Sequence, residues 1–201
     1  MNAGVVATSD RRADCGIPRV DVLGVPMSAA NAANAIAEID RWIQDGHRSD
    51  VTLTSVHGIM ESVRNGEIRR AHNAAGLVLP DGTPLAWMLY RGAFKSANCV
   101  RGTALMSALF DHSQQMGHRH FLYGALPHTL RLLADNLRRR FPAVAIVGTH
   151  SPPFRPAGAD EDEAVIDAIN ASGAQIVWVG LSTPKQELWW RATGIACRRP
   201  S

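Results

Sequence analysis

Five short apolar runs, each closed by a glycine, a proline or a polar turn, recur along the chain with helix-like stretches between them. That alternation restricts what the chain can become. The runs are Val51-Thr52-Leu53-Thr54, Leu77-Val78-Leu79, His120-Phe121-Leu122-Tyr123, Val144-Ala145-Ile146-Val147 and Gln175-Ile176-Val177-Trp178-Val179. Pro80-Asp81-Gly82 closes the second, and Gly124, Gly148 and Gly180 close the last three. Between and before them the spacing predicts helices. One is capped by Ser28, with Ile36, Ile39 and Ile43 on one face until Gly46; another covers 58–75, and a third covers 104–116, stopping at Gly117. A fourth opens at Pro127 and carries Leu130, Leu133 and Leu137; a fifth starts at the acids Asp160 to Glu163 and carries Val165, Ile166 and Ile169. Strands separated by helices pair in parallel through right-handed crossovers. The expected fold is therefore a single-domain α/β sandwich, Rossmann-like, around a central, mostly parallel sheet. Residues 1–17 read as a loose tail, and neither a repeat nor a second domain is apparent.

In such sheets ligands bind beyond the C-terminal ends of the strands, so the turns that close the runs are where chemistry is sought. Asp81 follows a buried strand. Its carboxylate can act there as a general base or hold a substrate hydroxyl, or else close an ordinary Asx-turn with Gly82 supplying the positive φ. Thr54, Ser55 and His57 sit where another strand leads into a helix. Hydroxyls and free N–H groups there suit an anion or a sugar, and equally suit a helix cap. The string Gly180-Leu-Ser-Thr-Pro-Lys-Gln-Glu187 joins a glycine loop to hydroxyls, Lys185 and Gln186. It can cradle a diphosphate, or form a solvated first helical turn. In Gly148-Thr-His-Ser-Pro-Pro-Phe154, Pro152-Pro153 stiffens the loop, which either fixes His150 or Phe154 over a ligand or is simple loop rigidity with Phe154 plugging the core. The arginines of 131–140 read as a solvated helical face.

Composition removes several classes. A net charge of +3 and a pI near 9.1 suit anionic small substrates or an anionic membrane surface, and are too mild for a nucleic-acid binder. Cys15, Cys99 and Cys197 are widely separated, with no CxxC pair and no His-rich ligand spacing. That implies a reducing cytoplasm and no metal site. No GxxxxGK[ST] or GxGxxG string is present, so ATP phosphoryl transfer and a dinucleotide oxidoreductase are disfavoured and no cofactor is expected. No apolar run is long enough to span a bilayer, and the first dozen residues lack the apolar core of a secretion signal.

Taken together, six stretches resemble the WecG/TagA/CpsF family of bacterial glycosyltransferases, also called glycosyltransferase family 26. They are Thr54-Ser-Val-His-Gly-Ile-Met-Glu61, Asn73-Ala-Ala-Gly-Leu-Val-Leu-Pro-Asp-Gly82, Phe121-Leu-Tyr-Gly124, Val147-Gly-Thr-His-Ser-Pro-Pro-Phe154, Ile169-Asn-Ala-Ser172 and Val177-Trp-Val-Gly-Leu-Ser-Thr-Pro-Lys-Gln-Glu187. The resemblance implies an inverting, metal-independent transfer of N-acetylmannosamine or a related sugar from a UDP-sugar donor to a polyprenyl-diphosphate-linked acceptor, in exopolysaccharide or other cell-surface polysaccharide synthesis. It implies that Asp81 is the base, that Thr54 or Ser55 touches the sugar or supports that base, and that Gly124, Gly180 and Gln186 line the donor pocket. Without a metal, backbone N–H groups and Lys185 carry the departing diphosphate. The implied location is the inner face of the plasma membrane, and a homo-oligomer stays open. Two departures accompany the resemblance. Cys99 and Ala104 stand where the family has an arginine and an aspartate, and 191–201 lacks the strand, glycine loop and basic tail that follow in the family. The second departure reads as a truncated or frameshifted end. It leaves open a catalytically impaired relative that serves as a nucleotide-sugar or partner-binding module.

Overall fold

The computed structural model describes residues 4–8, 16–91, 94, 97–153 and 159–193. All five predicted strands are present, at Arg48–Thr54 (β4), Leu77–Pro80 (β5), Arg119–Gly124 (β6), Ala145–His150 (β7) and Ile176–Gly180 (β8). Apart from those of β7, which are half-buried or exposed, their side chains alternate between two buried faces. Val51, Leu53, Leu77, Leu79, Leu122, Ile176 and Trp178 enter one cluster, while Phe121, Tyr123, Val177 and Val179 enter another. Period-two alternation with both faces apolar is what a sheet covered by helices on each side requires.

The first face is covered by Ala32–Gln44 (α1), Gly102–Met116 (α5) and Pro127–Arg140 (α6), through Ile39, Trp42, Leu105, Leu109, Phe110, Leu130 and Leu137. On the second face Ala159–Ala171 (α7) and Lys185–Thr193 (α8) supply Val165, Ile169 and Trp189. A third cluster sets Val78 of β5 against Ile59 of Val56–Arg64 (α2), and Leu85 and Leu89 of Thr83–Arg91 (α4). Val22, Val25 and Met27 complete it. They come from a hairpin of Arg19–Val22 (β2) and Val25–Ser28 (β3) that turns through Leu23 and Gly24, both at positive φ.

The sheet order is β5-β4-β1-β8-β6-β7, where β1 is Gly4–Thr8. Strand β4 pairs in parallel with β5, and β6 pairs in parallel with both β7 and β8. Only β1 is antiparallel, to β4 on one side and β8 on the other. It lies within the segment read from sequence as a tail; two adjacent β-branched valines give it strand propensity. Strands β4 to β8 thus all point the same way. From the centre the chain winds outward to β5 on one side and to β7 on the other, so the topological switch falls around β1.

Two helix expectations are corrected. Ser28 does not cap α1: it ends β3, fully buried, and its hydroxyl oxygen accepts the Val78 N–H at 3.1 Å. Asn31 is the cap instead, accepting the Asn34 N–H at 2.9 Å while the Asn34 side chain accepts from the Asn31 N–H. The single helix over 58–75 is two, α2 and Gly66–Ala74 (α3), broken at Asn65. There the backbone turns extended and the side chain accepts the Glu67 N–H at 2.8 Å, an asparagine cap outweighing helix continuation. Phe154 and the atypical end over 194–201 lie outside the described residues.

One polar chain crosses the core on the first face. The Trp178 indole N–H donates to His120 Nδ1 at 3.0 Å, and His120 Nε2 meets the Ser113 hydroxyl, also at 3.0 Å. Stacked on Phe110 at 4.1 Å, His120 is pushed down to about 3 by burial, so its ring stays neutral and both nitrogens are satisfied.

Candidate active site at the strand ends

The C-terminal ends of β5, β4, β8, β6 and β7 lie along one edge and present, in that order, Asp81, Thr54 with Ser55, Gly180, Gly124 and His150. Asp81 follows β5 directly. Its backbone N–H donates to the Thr54 carbonyl at 2.8 Å, which locks the two strand ends together. Gly82 takes φ +130 and α4 begins at Thr83, so the chain turns away and leaves the Asp81 side chain half-buried at the rim. Among the described residues its carboxylate makes no hydrogen bond, so it does not close an Asx-turn. Desolvation raises its pKa above the ordinary 3.8, opposed by the nearby Arg101 guanidinium. Arg101 stands at the start of α5, two positions beyond Cys99.

Thr54 is buried, 2% exposed, and its hydroxyl lies 3.0 Å from His72 Nε2. His72 Nδ1 in turn faces the Ser62 hydroxyl at 3.0 Å and the Ile68 carbonyl at 3.1 Å. The carbonyl can only accept, so Nδ1 carries the proton and Nε2 accepts from Thr54. Gly58 is obligatory there, because a Cβ on it would sit 2.2 Å from Thr54 Oγ1. Burial lowers the His72 pKa, against a smaller opposing pull from Glu187. Below about pH 6.5 the unfolded imidazole takes a proton that the folded one refuses, so this histidine's stability contribution falls as the pH drops. Melting curves of wild type and His72→Gln should therefore converge as pH is lowered from 7 toward 5. A constant gap would contradict a neutral, buried His72.

Ser55 takes the N-cap position of α2, half-buried, with no side-chain cap bond; His57 is exposed in the first turn of the same helix. The geometry thus separates a buried Thr54, spent on His72, from a Ser55 hydroxyl with no capping duty.

On the other side of β1, the turns after β6 and β8 touch. Gly124 has φ +120, and a Cβ there would meet the Gly180 carbonyl oxygen at 2.4 Å. Ala125 donates its N–H to that carbonyl at 3.3 Å, and the Ser151 hydroxyl donates to the Ala125 carbonyl at 2.7 Å. His150 is half-buried, 5.8 Å from the Tyr123 ring, which packs at 4.4 Å on Trp189.

After Gly180 the chain passes Ser182 at φ +65 and a cis Thr183–Pro184 bond before α8 begins at Lys185. This first turn is not simply solvated. Lys185 is exposed, but Gln186 and Glu187 are each 5% exposed. Glu187 Oε1 accepts from Thr183 Oγ1 at 2.9 Å and from Gln186 Nε2 at 3.3 Å. Among the described residues Gln186 Oε1 and Glu187 Oε2 are buried and meet no hydrogen-bond partner, which is costly unless something else meets them. Helix α8 packs on α3, which places Glu187 near enough to His72 to act on its charge. The Asp81–Thr54 side and the Gly180–Gln186 side are thereby joined through His72.

Sequence reasoning missed His72, Arg101 and the burial of Glu187. A lone helical histidine carries no signal, and Arg101 lies two positions from the place where a cation was sought.

A family model described as "Glycosyl transferase WecG/TagA/CpsF family" matches residues 20–196.

Proposed function

The chain belongs to this glycosyltransferase family, and on that premise we propose that it moves an N-acetylmannosamine-type or related sugar from a UDP-sugar to a polyprenyl-diphosphate-linked acceptor in cell-surface polysaccharide synthesis. The observation that carries the assignment of roles is the Asp81 carboxylate, without a hydrogen bond among the described residues, on the edge it shares with the Gly124–Gly180 contact. In this reading Asp81 is the base. It takes the proton of the acceptor hydroxyl as that oxygen attacks the anomeric carbon and the bond to the diphosphate breaks, which inverts the centre. A pKa above the ordinary carboxylate range makes it the stronger base for that step.

Charge gathers on the departing diphosphate, so the opposite wall must offer donors. The start of α8, the left-handed turn at Ser182 and Lys185 support that role. Gln186 and Glu187 each bury an oxygen that meets no partner among the described residues, and the N–H and O–H groups of a base or sugar would suit them. Thr54 supports Asp81 through its backbone carbonyl, leaving Ser55 as the hydroxyl that meets the sugar. Arg101 supplies a cation near the base, where Cys99 and Ala104 carry no charge. This reading needs no metal ion at the reacting centre.

A lipid acceptor requires an apolar approach. Helices α2 and α4 leave the edge directly after Ser55 and Gly82, and they expose Val56, Met60 and Val63, and Trp87 and Met88. This supports a peripheral position at the membrane, on the cytoplasmic side where nucleotide sugars are made. Among the described residues no helix is long and apolar enough to cross a bilayer.

The test is a melting experiment with millimolar UDP, joined to a transfer assay with membranes containing polyprenyl-linked acceptor. UDP is expected to raise the melting temperature, and labelled sugar is expected to enter the lipid fraction. A rise without transfer would support the binding-module reading that Cys99 and Ala104 suggest. No rise at any concentration would overturn both.

A further inference from the structure

At the opposite end of the sheet from this edge, three side chains from separate elements converge. Asp40 lies near the end of α1, His112 in the last turns of α5, and His118 just before β6. The turn between the two histidines is sharp because Gly117 ends α5 at φ +72, a left-handed conformation that folds His118 back toward His112. The rings stand 6.2 Å apart at 49°. His112 Nε2 lies 2.5 Å from Asp40 Oδ2, and His118 Nε2 lies 2.8 Å from Asp40 Oδ1. Arg41, next in the chain, turns instead to Glu38 and Asp45. The Asp40 carboxylate is therefore committed to two imidazoles, one on each oxygen.

We propose that Asp40, His112 and His118 form a binding site for a divalent transition ion of the zinc class, remote from the sugar-transfer edge. The donor set is the first argument. Two neutral imidazole nitrogens and one carboxylate match the ligand preferences of zinc, and water can complete a tetrahedron. Convergence is the second, since one donor atom from each residue lies within 4.8 Å of the other two. Metal–ligand bonds of about 2.0–2.2 Å put tetrahedral donors roughly 3.3 Å apart, so the two N···O contacts would open by less than about 1 Å and the widest donor pair would close by at most about 1.5 Å. Access is the third. The His118 side chain is 5% exposed and Asp40 14%, but His112 is 33% exposed, which gives an ion and its water a way in.

The ion would replace two N–H···O bonds, each imidazole carrying its proton on Nδ1 and turning its Nε2 lone pair to the metal. It would tie α1 to the α5–β6 turn, contacts that span |i−j| of 72 and 78 in sequence. The edge where sugar transfer is proposed stands a full strand away, about 20 Å for the six residues of β6. The ion would therefore hold the scaffold without touching the reaction.

The full chain, stripped with EDTA and dialysed, should take up one Zn²⁺ per chain by elemental analysis. At a hundredfold excess over Kd its melting temperature should rise by about 5–10 °C. Co²⁺ should give the intense visible bands of four-coordinate geometry. Asp40→Asn and His112→Gln should each lower affinity at least tenfold, while His128→Gln, an exposed histidine on α6, should not. Should Asp40→Asn fail to fold, the partly exposed His112→Gln alone decides. No stoichiometric uptake, or uptake undiminished in His112→Gln, would reduce the trio to a hydrogen-bonded cluster and overturn the site.

Discussion

Replacing Asp81 by asparagine is expected to lower sugar transfer by about 10²–10⁴-fold, the usual worth of a positioned general base, while UDP binding stays within a few-fold. Asparagine keeps the volume and the turn but cannot take a proton. The Asp81 carboxylate makes no hydrogen bond among the described residues, so no partner is orphaned and the melting temperature should hardly move. The pH profile gives an independent reading. The base works only when ionised, so kcat/KM should fall as pH drops through the Asp81 pKa, which lies above 3.8 because the group is partly desolvated. Arg101 opposes that rise, so Arg101→Gln should carry the acid limb to still higher pH. An Asp81→Asn enzyme with transfer near the wild-type rate would remove the base from this position.

Gly124→Ala is expected to be the most damaging of the small substitutions at this edge, with a loss of about 3 kcal/mol and a melting temperature lower by roughly 6–12 °C. Two causes add. An alanine is strained at φ +120, and its Cβ would lie 2.4 Å from the Gly180 carbonyl oxygen, a backbone atom that cannot rotate aside. The ends of β6 and β8 would have to part. Gly180→Ala is the informative contrast. A Cβ there meets nothing closer than the Tyr123 carbonyl oxygen at 3.9 Å, so the fold should tolerate it. If Gly180 is bare so that a diphosphate can approach, Gly180→Ala should weaken donor binding at unchanged stability. Equal melting losses from both substitutions would contradict this geometry.

The strands were legible as short runs rich in apolar residues, three of them ending at Pro80, Gly124 and Gly180; Gly148, read as closing its run, instead lies inside β7 and pairs with Phe121. Gly124 and Gly180 are the clearest cases, marking at once where the strands end and where two turns meet. Asp81 was legible by position, after a buried strand. The β2–β3 hairpin was not, because its turn is Leu23-Gly24 and its strands carry Arg19, Asp21 and Pro26 in place of a continuous apolar run. The start of α8 reads from sequence either as part of a diphosphate cradle or as a solvated first turn, and its burial was not legible: Lys-Gln-Glu is polar in composition, and only tertiary packing against α3 buries Gln186 and Glu187. The same limit hid His72 and the Asp40–His112–His118 cluster. Their partners lie on other elements, and one-dimensional spacing says nothing about which helix crosses which.

Strand β1 has a consequence for the order of assembly. It precedes both of its partners in the sequence, yet Val5 must lie between Val51 and Trp178. Until β8 has been synthesised and has docked on β6, the opening strand has only one flank to hold, and the β5-β4 and β8-β6-β7 halves stay separate. Closure of the sheet therefore belongs to the last moments of folding. It is a long-range step, and it should dominate the refolding time.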